Sequence, residues 1–183
     1  MKYKWWFCGL VLFLISLYFD DAFIQYISQN RILEFNDIIT KYTIFTNGFF
    51  SLLVVGFVIL IWKRRYIYRY LIGFGIFGGT LWLIKIISQR SRPFLDLEII
   101  SLIPDQSGFS FPSGHAGFAF FSLAFIWKLF PGFRWIWLVV VFLISFARLY
   151  VGVHYFSDII AGMLLGLFFG TLFFKWKFEK FKE

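Results

Sequence analysis

Apolar residues fill six long runs of this chain, and short polar segments separate them. A membrane-crossing helix needs about 20 mostly apolar residues, and the runs predict such helices at roughly residues 5–19, 42–62, 70–87, 113–127, 135–147 and 155–174. The first and fifth are short and would need tilt or local thinning of the bilayer. Residues 20–41 are mixed, with apolar positions near helical period, and are expected to lie along one membrane surface. No repeat or linker interrupts the pattern. The expected fold is all-α: one membrane-embedded domain, 1–183, of six transmembrane helices, with the N-terminal run retained as the first helix.

Composition supports this reading. Of the 183 residues 60% are hydrophobic, 25% aromatic and only 15% charged, which excludes a soluble globule of this size. The sole cysteine, Cys8, permits no disulfide within the chain. A net charge of +8 would suit nucleic acid, but the charges sort by end of the predicted helices instead. Twelve of the eighteen basic residues, among them Lys63, Arg64, Arg65, Lys128, Arg134 and Lys175, fall at one set of ends. The positive-inside rule makes that side cytoplasmic, with both termini inside. Seven of the eight tryptophans lie near the same ends, as an interfacial aromatic belt requires. The tail from Lys175 alternates basic and aromatic residues and could touch anionic headgroups or simply stop transfer.

Some ionisable residues do not fit that sorting. Arg148, His154 and Asp158 lie between the last two runs, and a charge facing lipid there costs roughly 2.5–3.5 kcal/mol. They are expected to face a wet pocket. At four residues' spacing on a helix, Asp158 can accept from one ring nitrogen of His154 and leave the other free to attack or take a proton. A structural His–Asp pair explains the spacing equally. Lys85 and Arg92 form a second group: Pro93 disfavours a helical Arg92, so its guanidinium can fold back over Lys85, and two cations on one face call for an anion. Snorkelling at a helix end is the alternative. In a third group, FPSGHAG, Ser113 is a candidate N-cap and Gly114 leaves the first-turn amides uncovered, so the helix start offers donors to an anion beside His115. With alternating helices, all three groups reach the outer boundary. Residues 94–110 form the longest outer connection and could flank a substrate entrance.

The motifs K-(x6)-RP at Lys85 to Pro93, PSGH at Pro112 to His115 and R-(x5)-H-(x3)-D at Arg148 to Asp158 resemble, in order and spacing, the three-part signature of the type 2 phosphatidic acid phosphatase (PAP2) superfamily. Many members carry Ser before the Arg of the third motif; Ala147 stands here, which removes one possible phosphate contact and no reacting group. The resemblance implies a helical core shared with vanadate-dependent haloperoxidases and a phosphohistidine mechanism. In it His154 would be the nucleophile, Asp158 its orienting carboxylate and His115 the acid for the leaving oxygen. Lys85, Arg92, Ser113, Gly114 and Arg148 would hold the phosphate. It implies no metal and no other cofactor.

The expected function is an integral membrane lipid phosphatase, with its site on the outer side of the plasma membrane and a lipid phosphate as its partner. Polyprenyl diphosphate, phosphatidylglycerophosphate and phosphatidate all present phosphate on an apolar tail, and the motifs do not separate them. The same site would serve a lipid phosphotransferase, which product analysis distinguishes. A binding protein or transporter for lipid phosphates is the reading from another class, and stoichiometric binding without turnover would reveal it.

Overall fold

The computed structural model describes residues 4–103 and 106–176. Pro104 and Asp105 of the connection over residues 94–110, the first three residues and the tail from Lys177 lie outside the described residues. The chain forms helices α1 (Lys4–Gln29), α2 (Leu33–Phe45), α3 (Gly48–Trp62), α4 (Ile67–Ser88), α5 (Pro93–Asp96), α6 (Gly114–Leu129), α7 (Arg134–Tyr150) and α8 (Phe156–Lys175). A single 3-10 turn, Arg64–Tyr66, joins α3 to α4, and no strand occurs among the described residues.

Three stretches, Trp6–Gln29, Arg64–Asp96 and Phe156–Lys175, are long and apolar enough to cross a membrane. The pair α2 and α3, bent by 60°, adds a fourth if taken as one span. Helices α6 and α7 coincide with the fourth and fifth expected crossings, but at 16 and 17 residues they rise only about 24–26 Å against a hydrocarbon core of about 30 Å. All six apolar runs are helical, and among the described residues three stretches, or four with the bent pair, reach the length and apolarity of a full crossing.

Two expectations need correction. Helix α1 does not end near Phe19 but continues through Asp20 and Asp21 to Gln29. Asp20 is tolerated inside it because its carboxylate is buried against an arginine and a serine rather than facing lipid. The second run breaks at Thr46 and Asn47, where the Asn47 side chain accepts from the Phe50 N–H and caps α3 at 3.2 Å. Residues 20–41 are therefore the end of one helix and most of the next, joined by a short turn at residues 30–32.

Helix α6 is the centre of the bundle and packs on α3, α4, α7 and α8. Its C-terminal half is aromatic: Phe121 and Phe125 meet Tyr70, Phe74 and Phe77 of α4 at ring separations of 5.2–5.8 Å. The buried Tyr70 hydroxyl donates to the Ser51 carbonyl at 2.8 Å and lies 2.8 Å from Ser122 Oγ, which joins α3, α4 and α6 by satisfied polar contacts. Of the four glycines of α4, Gly73 is the one packed most closely, since a Cβ there would lie 2.6 Å from the Phe173 ring; Gly75 and Gly79 face open space. This packing leaves the other ends of α4, α6, α7 and α8 grouped together.

Candidate active site

The three polar groups picked out by the sequence meet at that end. Lys85, in the last turn of α4, donates from Nζ to the carbonyls of Phe109 and Ser110 at 2.7 and 3.3 Å. Helix α4 stops at Ser88 because Gln89 takes a left-handed backbone, φ 46°, which turns the chain back on itself. Arg92 then sits extended before Pro93, off the helix as expected, and its guanidinium donates to the carbonyls of Gly108, Val153 and Ser107 at 3.0, 3.0 and 3.2 Å. Arg148, in the last turn of α7, donates to Thr43 Oγ1 at 3.0 Å and Gln106 Oε1 at 3.1 Å. Residues 106–110 of the connection before α6 are thus strapped to the basic trio.

Ser113 occupies the N-cap position of α6, but its hydroxyl makes no cap bond. It is buried and unpartnered, as is Arg148 Nε. A Cβ on Gly114 would meet no atom within 4 Å, so the space before the helix start is open. Next to it, His115 is in electrostatic range of Arg148, His154, Arg92 and Lys85. Buried donors without partners are rare in folded proteins. Here two of them, one charged, stand beside two further cations and a helix N-terminus, an arrangement suited to a polyanion such as phosphate.

His154 lies in the turn between α7 and α8, not on the helix, yet the four-residue spacing still brings its Nδ1 to 3.3 Å from Asp158 Oδ2. The same carboxylate oxygen accepts from the Tyr155 N–H at 2.9 Å and so caps α8. Both side chains are almost fully buried. Burial and then the charges of Arg148, Arg92 and Lys85 push the imidazole well below its usual pKa, with the Ser110 backbone acting the other way. With Nδ1–H directed at the carboxylate, Nε2 carries the lone pair.

Several residues at the site escaped the sequence reading. Arg90 donates from Nη1 to Asp158 Oδ1 at 2.9 Å and Ser157 Oγ at 2.6 Å, and from Nη2 to Asp20 Oδ2 at 2.7 Å. Thr43, on α2, supports Arg148 from more than a hundred residues away. The signal available for Arg90 was its position two residues before Arg92; Asp20 and Thr43 left none.

A family model described as the PAP2 superfamily matches residues 66–182. The chain belongs to that superfamily. Its match to an undecaprenyl-diphosphatase of Sulfolobus acidocaldarius is 26% identical and covers 90% of this chain and 87% of the relative. A lipid A 4'-phosphatase of Bacteroides thetaiotaomicron is 39% identical, but over only 48% of this chain and 40% of that protein. Among solved structures, a PAP2-type phosphatidylglycerolphosphate phosphatase from Bacillus subtilis aligns with a TM-score of 0.74 over 96% of this chain and 98% of its own, at 24% identity. Aquifex aeolicus LpxE aligns at 0.76 over 86% and 95%, at 22% identity. These likenesses place the helical fold among PAP2 membrane phosphatases, and the expectation of an integral membrane phosphatase holds at the level of family and enzyme class.

Proposed function

We propose that this protein removes the terminal phosphate of a polyprenyl diphosphate at the outer side of the membrane, through a phosphohistidine on His154. The observation that carries the mechanism is the buried His154–Asp158 pair beside a basic cluster in which the Ser113 hydroxyl and Arg148 Nε have no partner. In the first step Nε2 of His154 attacks phosphorus in line, the bond from phosphorus to the bridging oxygen breaks, and His115 gives that oxygen its proton. Lys85, Arg92, Arg148, Ser113 and the Gly114 N–H hold the remaining phosphate oxygens, where charge must be neutralised in the transition state. In the second step water, losing a proton to His115, attacks the phosphohistidine. Phosphate leaves and His154 is regenerated. Lys85 keeps one N–H beyond its two carbonyl bonds, and Arg92 keeps part of its donor fork, so both can reach an anion without abandoning the loop.

The diphosphate is favoured among the lipids because the relative matched over nine-tenths of this chain is named an undecaprenyl-diphosphatase. The outer location rests on the basic ends of the helices, which lie away from the site.

Phosphate release by purified protein in detergent with chelator, offered polyprenyl diphosphate, phosphatidylglycerophosphate, phosphatidate and a lipid A phosphate in parallel, tests this reading. The expected result is a preference for the diphosphate of at least about tenfold in kcat/KM, or about 1.4 kcal/mol. Preference for a glycerolipid would reject the substrate, and near-normal turnover by His154→Ala would reject the nucleophile. Transfer of phosphate to a lipid acceptor, with none released as free phosphate, would reject hydrolysis.

A further inference from the structure

Arg90 is an unspecified position of the first motif, yet it is the cation bonded to the carboxylate that pairs with His154. Its fork divides between two buried carboxylates: Nη1 on Asp158 and Nη2 on Asp20. Asp20 is 2% exposed although its neighbours on α1, Tyr18 and Phe19, are 84% and 53% exposed. A single acid turned inward from such a helix needs a partner, since an unpaired buried carboxylate is strongly unfavourable. Asp20 has three: Arg90, the Ser157 N–H at 2.8 Å from Oδ1, and the Ser157 hydroxyl. The Arg90 guanidinium also lies 4.0 Å above the Tyr155 ring, which fixes its plane. Asp158 is therefore held from both sides, Oδ1 by Arg90 and Oδ2 by the Tyr155 N–H and His154.

We infer that Arg90, braced by Asp20 of α1, is a positioning residue for the reaction: it fixes the rotation of the Asp158 carboxylate so that Oδ2 meets Nδ1 of His154. The inference rests on the reading of His154 as the nucleophile. A planar fork can span two carboxylates at once, whereas a lysine ammonium is a point charge that satisfies one. Arg90 thereby ties the first helix to the reacting pair, across separations of 70 and 68 residues.

The test uses the full chain in detergent with polyprenyl diphosphate as substrate and inorganic phosphate as a competing ligand. Arg90→Gln is expected to lower kcat at least about tenfold, as loss of a carboxylate–histidine support does elsewhere. The inhibition constant for inorganic phosphate should stay within about twofold, because the phosphate-holding groups are untouched. The decisive readout is a cycle with Asp158→Asn: if Arg90 acts through Asp158, the double variant is no slower than Asp158→Asn by more than about twofold. Arg90→Lys should recover part of the rate, and it carries the test if Arg90→Gln does not fold. Wild-type kcat in Arg90→Gln, or costs that multiply in the double variant, would overturn the inference. An inactive His154→Ala beside an unimpaired Arg90→Gln would sink this inference alone, while an active His154→Ala would sink the reading beneath it.

Discussion

A Cβ added to Gly166 would lie 2.3 Å from the carbonyl oxygen of Gly117, so α8 and α6 run backbone against backbone. Gly162 and Gly170 repeat the contact one turn to either side, at 2.5 Å from the carbonyls of Ser113 and Phe121. Small residues every fourth position are how membrane helices approach without a hydrophobic driving force between them. Under the proposed mechanism the seam bears on catalysis, because it holds the start of α8, with Asp158, against the start of α6, with Ser113 and His115.

That seam predicts a position-dependent effect of the same substitution. Gly162→Ala and Gly170→Ala should each lower thermal stability, by about 1–3 kcal/mol for overpacking against backbone that cannot rotate away. Only Gly162, whose contact is Ser113 itself, should also lower kcat for phosphate release, by several-fold or more. Thermal unfolding and turnover measured on the two variants separate the effects. Equal loss of turnover in both would mean that the seam acts only on stability.

Thr43 supports a second prediction. The Arg148 guanidinium is almost fully buried, and Thr43 Oγ1 accepts from its Nη1 at 3.0 Å. Thr43→Val keeps the shape and removes the acceptor, leaving a charged donor unsatisfied at a cost of about 1–3 kcal/mol. Phosphate release should lose roughly tenfold in kcat/KM, while Thr43→Ser, which keeps the hydroxyl, should stay near wild type. A Val variant as active as the parent would show that Arg148 is held by other contacts.

What the sequence made legible follows from how far apart the cooperating residues lie. Lys85 with Arg92, Ser113 with His115, and Arg148 with Asp158 are each close in the chain, so spacing and the Pro93 rule exposed them. Hydropathy located all six apolar helices, because that pattern is local too. Asp20 and Thr43 were hidden for the opposite reason: each matters through residues far along the chain, Asp20 through Arg90 and Ser157 and Thr43 through Arg148, and in the sequence each is an ordinary polar residue near a helix end. The extension of α1 past Asp20 was missed on the same ground, since the Asp20 carboxylate is satisfied only by Arg90 and Ser157, far along the chain. Gln89 was also unreadable, since L-residues other than glycine seldom take the left-handed backbone and nothing in the local sequence marks it.

The basic trio makes a prediction about metal. Lys85, Arg92 and Arg148 already supply three positive charges around the proposed phosphate position, the neutralisation that a divalent ion provides in many phosphoryl-transfer enzymes. Turnover should therefore persist in excess chelator and fall steeply when one of the three is made neutral, with Arg148→Gln expected to cost at least about a hundredfold in kcat/KM. A strict requirement for added divalent ion, measured as loss of turnover in chelator and its return on adding back the metal, would count against the mechanism.

His154 makes a prediction about pH. Burial comes first and the neighbouring Arg148, Arg92 and Lys85 second in pushing its imidazole pKa down, so the ring of the resting enzyme stays neutral below the usual imidazole range. Neutral is the form a nucleophile needs. In the unfolded chain the same ring takes a proton near pH 6.5, so below that value the unfolded state binds more protons and folded stability declines as pH falls. The chain has only two histidines, and His115→Gln leaves His154 as the sole imidazole signal in a labelled sample. Its NMR titration should show a midpoint below 6.5, and Arg148→Gln in the same background should move that midpoint upward, because one opposing charge is gone. A midpoint at or above 6.5 in the parent background would mean that Asp158 holds a charged imidazole in the resting enzyme, and a ring already protonated at both nitrogens cannot open the reaction by attacking phosphorus.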